Sequence, residues 1–145
     1  MAVLAGIQDG TIDAIACDHA PHEAYVKRCE FAAAAKGIIG LQTSLPLSMA
    51  LLAGGNISPS RIVELLSAGP ARILGLRGKG TLAAGADADV TVIDPDAEWE
   101  FLPAEVVSKS GNSPFLGWKL HGRASAVLFG GRVSHSTMAG VAADA

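Results

Sequence analysis

Long apolar runs, clustered positive charge and cysteine pairs are what this sequence has least of, and each shortage closes off a class of protein. The longest apolar stretches, such as residues 45–53, are interrupted by Pro46 and Ser48 and fall short of the roughly 20 residues that a helical span requires. The first residues lack the charged and apolar regions of a secretion signal, so a soluble cytoplasmic protein without a membrane partner is expected. Against 14 acidic side chains stand only 11 Lys and Arg, none gathered into a stripe able to neutralise phosphates, and nucleic acid is not an expected partner. The only cysteines, Cys17 and Cys29, are too far apart for a CxxC pair and too few for a disulfide scaffold, so reduced thiols are expected. Cys17, inside an apolar segment, is expected to pack as a small hydrophobe.

What is present suffices for a core: 145 residues, 50% of them hydrophobic, make one ordinary domain. Residues 2–8 read as the end of a helix stopped by Asp9-Gly10, and residues 11–17 as a short apolar strand flanked by turn signals. A strand with so few polar positions suits a parallel sheet covered on both sides. Its period of two sets Ile12, Ala14, Ala16 and Asp18 on one face and Asp13, Ile15 and Cys17 on the other. Residues 23–35 are expected to form a long loop ahead of the glycine-flanked Gly37-Ile38-Ile39-Gly40.

A helix is predicted over residues 43–53, with Pro46 tolerable only in its first turn and Gly54-Gly55 closing it. Ser58-Pro59 supplies an N-cap and a first-turn proline for a helix over 61–67. Gly69-Pro70 breaks that helix, and Pro70 opens a last short one ending near residue 76. After Gly78 the texture changes to glycine turns and β-rich runs at 80–82, 88–94, 98–102, 124–129 and 132–133. Asp94-Pro95-Asp96 and Gly130-Gly131 read as turns of a small antiparallel layer. A boundary therefore falls near residue 78, and from residue 134 a small, polar, disordered tail is expected. There is no internal repeat.

The chemistry gathers in "CDHAPHE", residues 17–23. A carboxylate at the C-terminal end of a parallel barrel strand stands where catalytic groups collect, because the loops leaving that end form the pocket mouth. On spacing alone two other readings stay open: Asp18 as the cap of a following helix with solvated histidines, or an Asp-His pair and a second His as part of a metal site.

"DGTIDAIACDHAPHE" resembles the segment that ends the last barrel strand of dihydroorotases, metal-dependent members of the amidohydrolase superfamily. The resemblance continues through "GIIGLQTSLPL", "PARILGLRGKGTLAAGADADVTVID" and "SKSGNSPFLGWKLHG", over residues 5–133. It implies an α/β fold: the last strand and C-terminal helices of an amidohydrolase (β/α)8 barrel over residues 1–78, part of a small flanking β-sandwich domain over 79–133, and a tail over 134–145. It also implies zinc and a small-molecule substrate, in the reversible cyclisation of N-carbamoyl-L-aspartate to dihydroorotate. Asp18 matches the catalytic aspartate, which binds one zinc and shuttles a proton. His22 matches a residue contacting the substrate, at its carboxylate. Lys36 and Gly37 fall where backbone groups hold the pyrimidine ring; Lys36 replaces an aromatic or apolar residue, and Cys17 stands where threonine is common. No ligand role is carried over to His19, which either orients the strand end or meets solvent.

The family's other ligands, a His-x-His pair, a bridging carboxylated lysine or an aspartate, and two further histidines, have no counterpart here. His121 and His135 are expected to be structural or exposed. One carboxylate cannot hold a catalytic zinc, and a lone barrel strand would lack partners. The chain is accordingly expected to be the C-terminal portion of a longer enzyme and inactive by itself. Such an enzyme would be a homo-oligomer or a complex with aspartate transcarbamoylase. The alternatives are a hydantoinase or allantoinase, a non-catalytic dihydroorotase-like scaffold subunit of aspartate transcarbamoylase, and an independent binding module over residues 79–133.

Overall fold

The computed structural model describes residues 2–55 and 57–144. Helix α1 (Ala2–Asp9) ends as its sequence requires: Gly10 turns with a φ of +87°, and the Asp9 carboxylate accepts the Thr11 N–H. Its last carbonyls have no helical partner, and Arg61 supplies one, donating from Nε to Ile7 O and from Nη2 to Ile12 O. A one-turn helix α2 (Ala24–Lys27) interrupts the stretch expected to be all loop. Helix α3 (Leu41–Met49) continues as a 3-10 turn over Ala50–Leu52. It begins two residues earlier than its sequence suggests, which puts Pro46 in the second turn rather than the first.

The next helical run is continuous across the predicted break. Helix α4 (Pro59–Val63) opens on the expected cap, Ser58 Oγ accepting from Arg61 N–H. It passes into a π turn over Glu64–Ala68 and then into α5 (Gly69–Ile73). Pro70 has no N–H to donate four residues back; the widened turn, in which Gly69 N–H reaches Glu64 O, carries the helix over the gap. Ile7, Ile57, Ile62 and Leu65 are buried together, with Ile12, Ile15, Leu51, Leu52 and Leu66 packed around them.

Residues 11–17 are in no sheet. The expected strand has no ladder partner among the described residues, and its amides bond to helices instead, Ile12 N–H to Gly6 O and Ile15 N–H to Leu65 O. Without a ladder to impose alternation, Ile12 and Ile15, expected on opposite faces, both pack on the same cluster. Gly69 permits this close approach, since a Cβ there would collide with the Asp13 carbonyl.

The second half is an antiparallel sheet in the order β1-β2-β3: β1 (Val90–Glu100), β2 (Lys119–Phe129) and β3 (Arg132–Ser136). Asp94-Pro95-Asp96 is not a hairpin turn but an irregularity within β1, where pairing jumps from Asp94↔Arg123 to Glu98↔His121. A bulge spares proline the N–H that a ladder would demand of it. Gly130-Gly131 is the β2–β3 turn. Residues 134–136, expected to begin a disordered tail, pair with β2 through Ala126↔Ser136 and Val127↔His135. Asp144 folds back to bond both backbone groups of Val133.

A second cluster, Ile39, Phe101 and Leu120 with Leu47, Trp99, Val106, Phe115 and Leu116 around it, joins α3 and the segment before it to the sheet. Gln42 ties α3 to the loop that follows β1, donating to Glu105 O and accepting from Val107 N–H.

Candidate functional site

Residues 18–22 lie against residues 36–40. Ala20 N–H donates to Ile38 O at 2.8 Å, and the thiol of Cys17 fills the space that a Gly40 side chain would need. Gly37 has a φ of +100°, in the left-handed region that only glycine enters without strain. Its bare Cα faces the candidate residues. A Cβ placed there would lie 2.5 Å from Ala20 Cβ and 3.8 Å from both Asp18 Oδ2 and His22 Nε2. Asp18, His22 and Gly37 thus converge, and any larger residue at position 37 would fill the space between them.

Lys36 joins them through its backbone. Its carbonyl lies 2.8 Å from His22 Nε2. A carbonyl only accepts, so His22 Nε2 carries the proton and Nδ1 is left for other work. The ammonium that helps fix this loop is that of Lys27, which donates to Ala35 O at 2.6 Å and Gly37 O at 2.9 Å.

His19 has a different task. Its Nδ1 accepts from the N–H groups of Gly40 and Leu41 at 3.2 and 3.4 Å, where α3 begins with no side-chain cap of its own. The helix-capping role that spacing left open for Asp18 belongs to its neighbour. Asp18 is exposed and borders a groove of about 480 Å³, whose walls include Ile38, Leu47 and Phe115. His121 and His135 are both exposed, on β2 and β3 respectively.

One site residue has no local signal in the sequence. Asn112, half-buried in the loop between β1 and β2, accepts the His22 N–H at 3.0 Å and donates to Ala20 O at 2.9 Å and Gly37 O at 3.4 Å. The only pointer to it was its place in "SKSGNSPF", 90 residues from His22.

A family model described as the amidohydrolase family matches residues 1–133. The chain belongs to the amidohydrolase family. A dihydroorotase of Geobacter sp. (strain M21) is 54% identical over 132 residues, 91% of this chain and 31% of that protein. A dihydroorotase of Desulfotalea psychrophila is 52% identical over 134 residues, 92% of this chain and 32% of that protein. Among solved structures, the L-hydantoinase (dihydropyrimidinase) from Arthrobacter aurescens aligns with a TM-score of 0.86 at 28% identity, over 97% of this chain and 32% of that one. A D-hydantoinase aligns at 0.84 and 26% identity, over 93% and 31%. The chain therefore carries a partial amidohydrolase fold and spans less than a third of the length of these relatives.

Membership of the amidohydrolase family implies dependence on a metal in general. Among the described residues, no three His, Cys, Asp or Glu side chains stand together to hold one, whereas a catalytic zinc takes about three protein ligands. Asp18 is a single donor, and these residues by themselves do not fit a metal cage.

Proposed function

We propose that this chain is the C-terminal share of a zinc-dependent dihydroorotase, which interconverts N-carbamoyl-L-aspartate and dihydroorotate in the cytoplasmic synthesis of pyrimidines. In this reading residues 1–78 complete a (β/α)8 barrel, in which residues 11–17 find strand partners, and residues 79–133 belong to a flanking β-sandwich. The observation that carries the reading is the convergence of Asp18, His22 and Gly37 within a segment about half identical to dihydroorotases.

Each residue then has work suited to its chemistry. In the ring-opening direction, water adds to the ring amide carbonyl, the C–N bond breaks and the nitrogen gains a proton. Asp18, exposed on the groove, takes the proton from water and returns it to the leaving nitrogen. His22 contacts the substrate while Lys36 O holds the Nε2–H of its ring. Gly37 brings backbone within reach of the pyrimidine ring because no side chain intervenes. Zinc, which Asp18 would help to bind, needs its remaining ligands from outside these residues.

The test compares turnover of dihydroorotate by the 145-residue chain with turnover after it is combined with the remaining two-thirds of a dihydroorotase. The chain alone should bind less than one zinc and show no turnover, and the combination should be active. Asp18→Ala in the combination should lower kcat by about a thousandfold, the scale of a lost general base. Full activity of the chain alone, or of the Asp18→Ala combination, contradicts the proposal.

The hydantoinase reading has one observation behind it, the 0.86 TM-score to an L-hydantoinase. The identity of 28% there, against 54% to a dihydroorotase, favours dihydroorotate. Hydrolysis of a hydantoin in preference to dihydroorotate would reverse that choice.

A further inference from the structure

Two short segments carry the candidate groups, residues 18–22 and residues 36–40, and few bonds tie one to the other. Ala20 N–H to Ile38 O, Gly40 N–H to His19 Nδ1 and the His22 ring to Lys36 O do so directly. A further tie comes from far away in the chain. Asn112 sits between the segments and bonds to both, to Ala20 and His22 on one side and to Gly37 on the other. Its own carbonyl accepts the Ile39 N–H at 3.1 Å.

We propose that Asn112 is the positioning residue of this site, setting the separation of His22 from the Lys36-Gly37 backbone and hence the direction in which His22 Nδ1 points. The proposal rests on the dihydroorotase reading only for what those positioned groups then do. The carboxamide suits the task because it offers an acceptor and two donors in one rigid plane. Here the acceptor meets an N–H and the donors meet two carbonyls. Aspartate keeps the acceptor but cannot donate, and its charge would face the carbonyls of Ala20 and Gly37. Glutamine carries the same groups one methylene too far out, and alanine leaves all three backbone groups without the contact. Lys27 also grips Gly37 O, but it reaches neither Ala20 nor His22 in any bond of the described residues. Among the described residues, Asn112 is the side chain from outside the two segments that bonds to both.

The test uses the 145-residue chain, nitrogen-15 NMR of the imidazoles and amide hydrogen exchange. In the wild type the His22 ring should be a single tautomer, protonated at Nε2. Asn112→Ala should release the Lys36-Gly37 peptide, so that the ring averages between tautomers. The His22 amide should exchange about tenfold faster, as expected for one lost hydrogen bond, while amides of β2 and of residues 62–66 stay as they were. A merely structural role would raise exchange everywhere and leave the tautomer alone; that result, or no change at all, overturns the proposal.

Should Asn112→Ala not fold, Asn112→Asp decides the matter at constant size. It should keep the His22 amide protected, through the retained acceptor, and still lose the single ring tautomer. A wild-type ring signature in Asn112→Asp overturns the proposal as well. None of these readouts needs turnover, so failure of the combined enzyme to act on dihydroorotate would sink the functional reading and leave the positioning result standing.

Discussion

The two hydrophobic clusters of this chain differ in the span of sequence each collects. The first, around Leu65, is made of residues 7–66 and closes among helices. The second, around Phe101, takes Ile39 and Leu47 from the helical half and everything else from residues 99–120. The site lies where the two meet: Ile15 of the first cluster stands three residues before Asp18, and Ile39 of the second stands two after Gly37. The first cluster therefore anchors the approach to Asp18, and the second anchors the loop that faces it.

Truncating each centre should separate these roles. Leu65 and Phe101 are both fully buried, so Phe101→Ala should cost about 3–5 kcal/mol and Leu65→Ala about 2–5 kcal/mol, read from urea unfolding. The sharper comparison is local. Phe101→Ala should speed amide exchange at residues 36–40 before global unfolding, because Ile39 loses a buried partner of its cluster, whereas Leu65→Ala should leave that segment at wild-type rates. Equal effects of both variants on residues 36–40 would erase the distinction between the clusters.

A smaller effect is expected from the cap. His19→Ala removes the acceptor from the first N–H groups of α3 and should cost about 1 kcal/mol. His19→Asn, which can also accept, should recover part of it. Since α3 touches the second cluster through Leu47, the loss should appear as faster exchange in the first turn of α3 and nowhere in residues 59–73.

The smallest effect concerns the junction between the two halves. Lys79 pairs with Asp87 at 2.9 Å and with Asp89, and Asp89 also accepts the Gly130 N–H, tying the loop after α5 to the β2–β3 turn. The Lys79 ammonium, followed by the Gly130 N–H, holds the Asp89 carboxyl below its usual 3.8. Its contribution is therefore present above that pH and lost as pH falls through the lowered value. The Asp89 and Asp87 carboxylates raise Lys79 above 10.5, so its contribution is present below that pH and lost as pH rises through the raised value. The difference in urea midpoint between wild type and Lys79→Met should accordingly be flat near neutrality and shrink in acid, as pH falls through the lowered Asp89 value. Because these groups are solvent-exposed, added salt should shrink it too.

Local signals in the sequence were legible wherever the physics is local. Asp9-Gly10 stops α1, Ser58-Pro59 starts α4, and Gly130-Gly131 turns β2 into β3, each through backbone geometry settled within a few residues. Asp18, His22 and Gly37 were singled out by their resemblance to a family, and the structure brings them together. What stayed hidden depends on partners distant in sequence. The cap of α3 is an imidazole 21 residues before its first turn, and Asn112 meets His22 across 90 residues. Pro95 and Pro70 misled for a related reason: each was read as punctuation, yet a β-bulge and a π turn let the surrounding element run on.

The π turn has an effect beyond surviving a proline. An added residue in a helix advances everything after it by about 100° around the axis. Beyond it Ala71 is buried, while Ile73 and Leu74 are 60% and 70% exposed. Shortening residues 64–68 by one would restore even pitch and re-phase those two large side chains, so the widened turn also dictates which flank of the molecule is greasy.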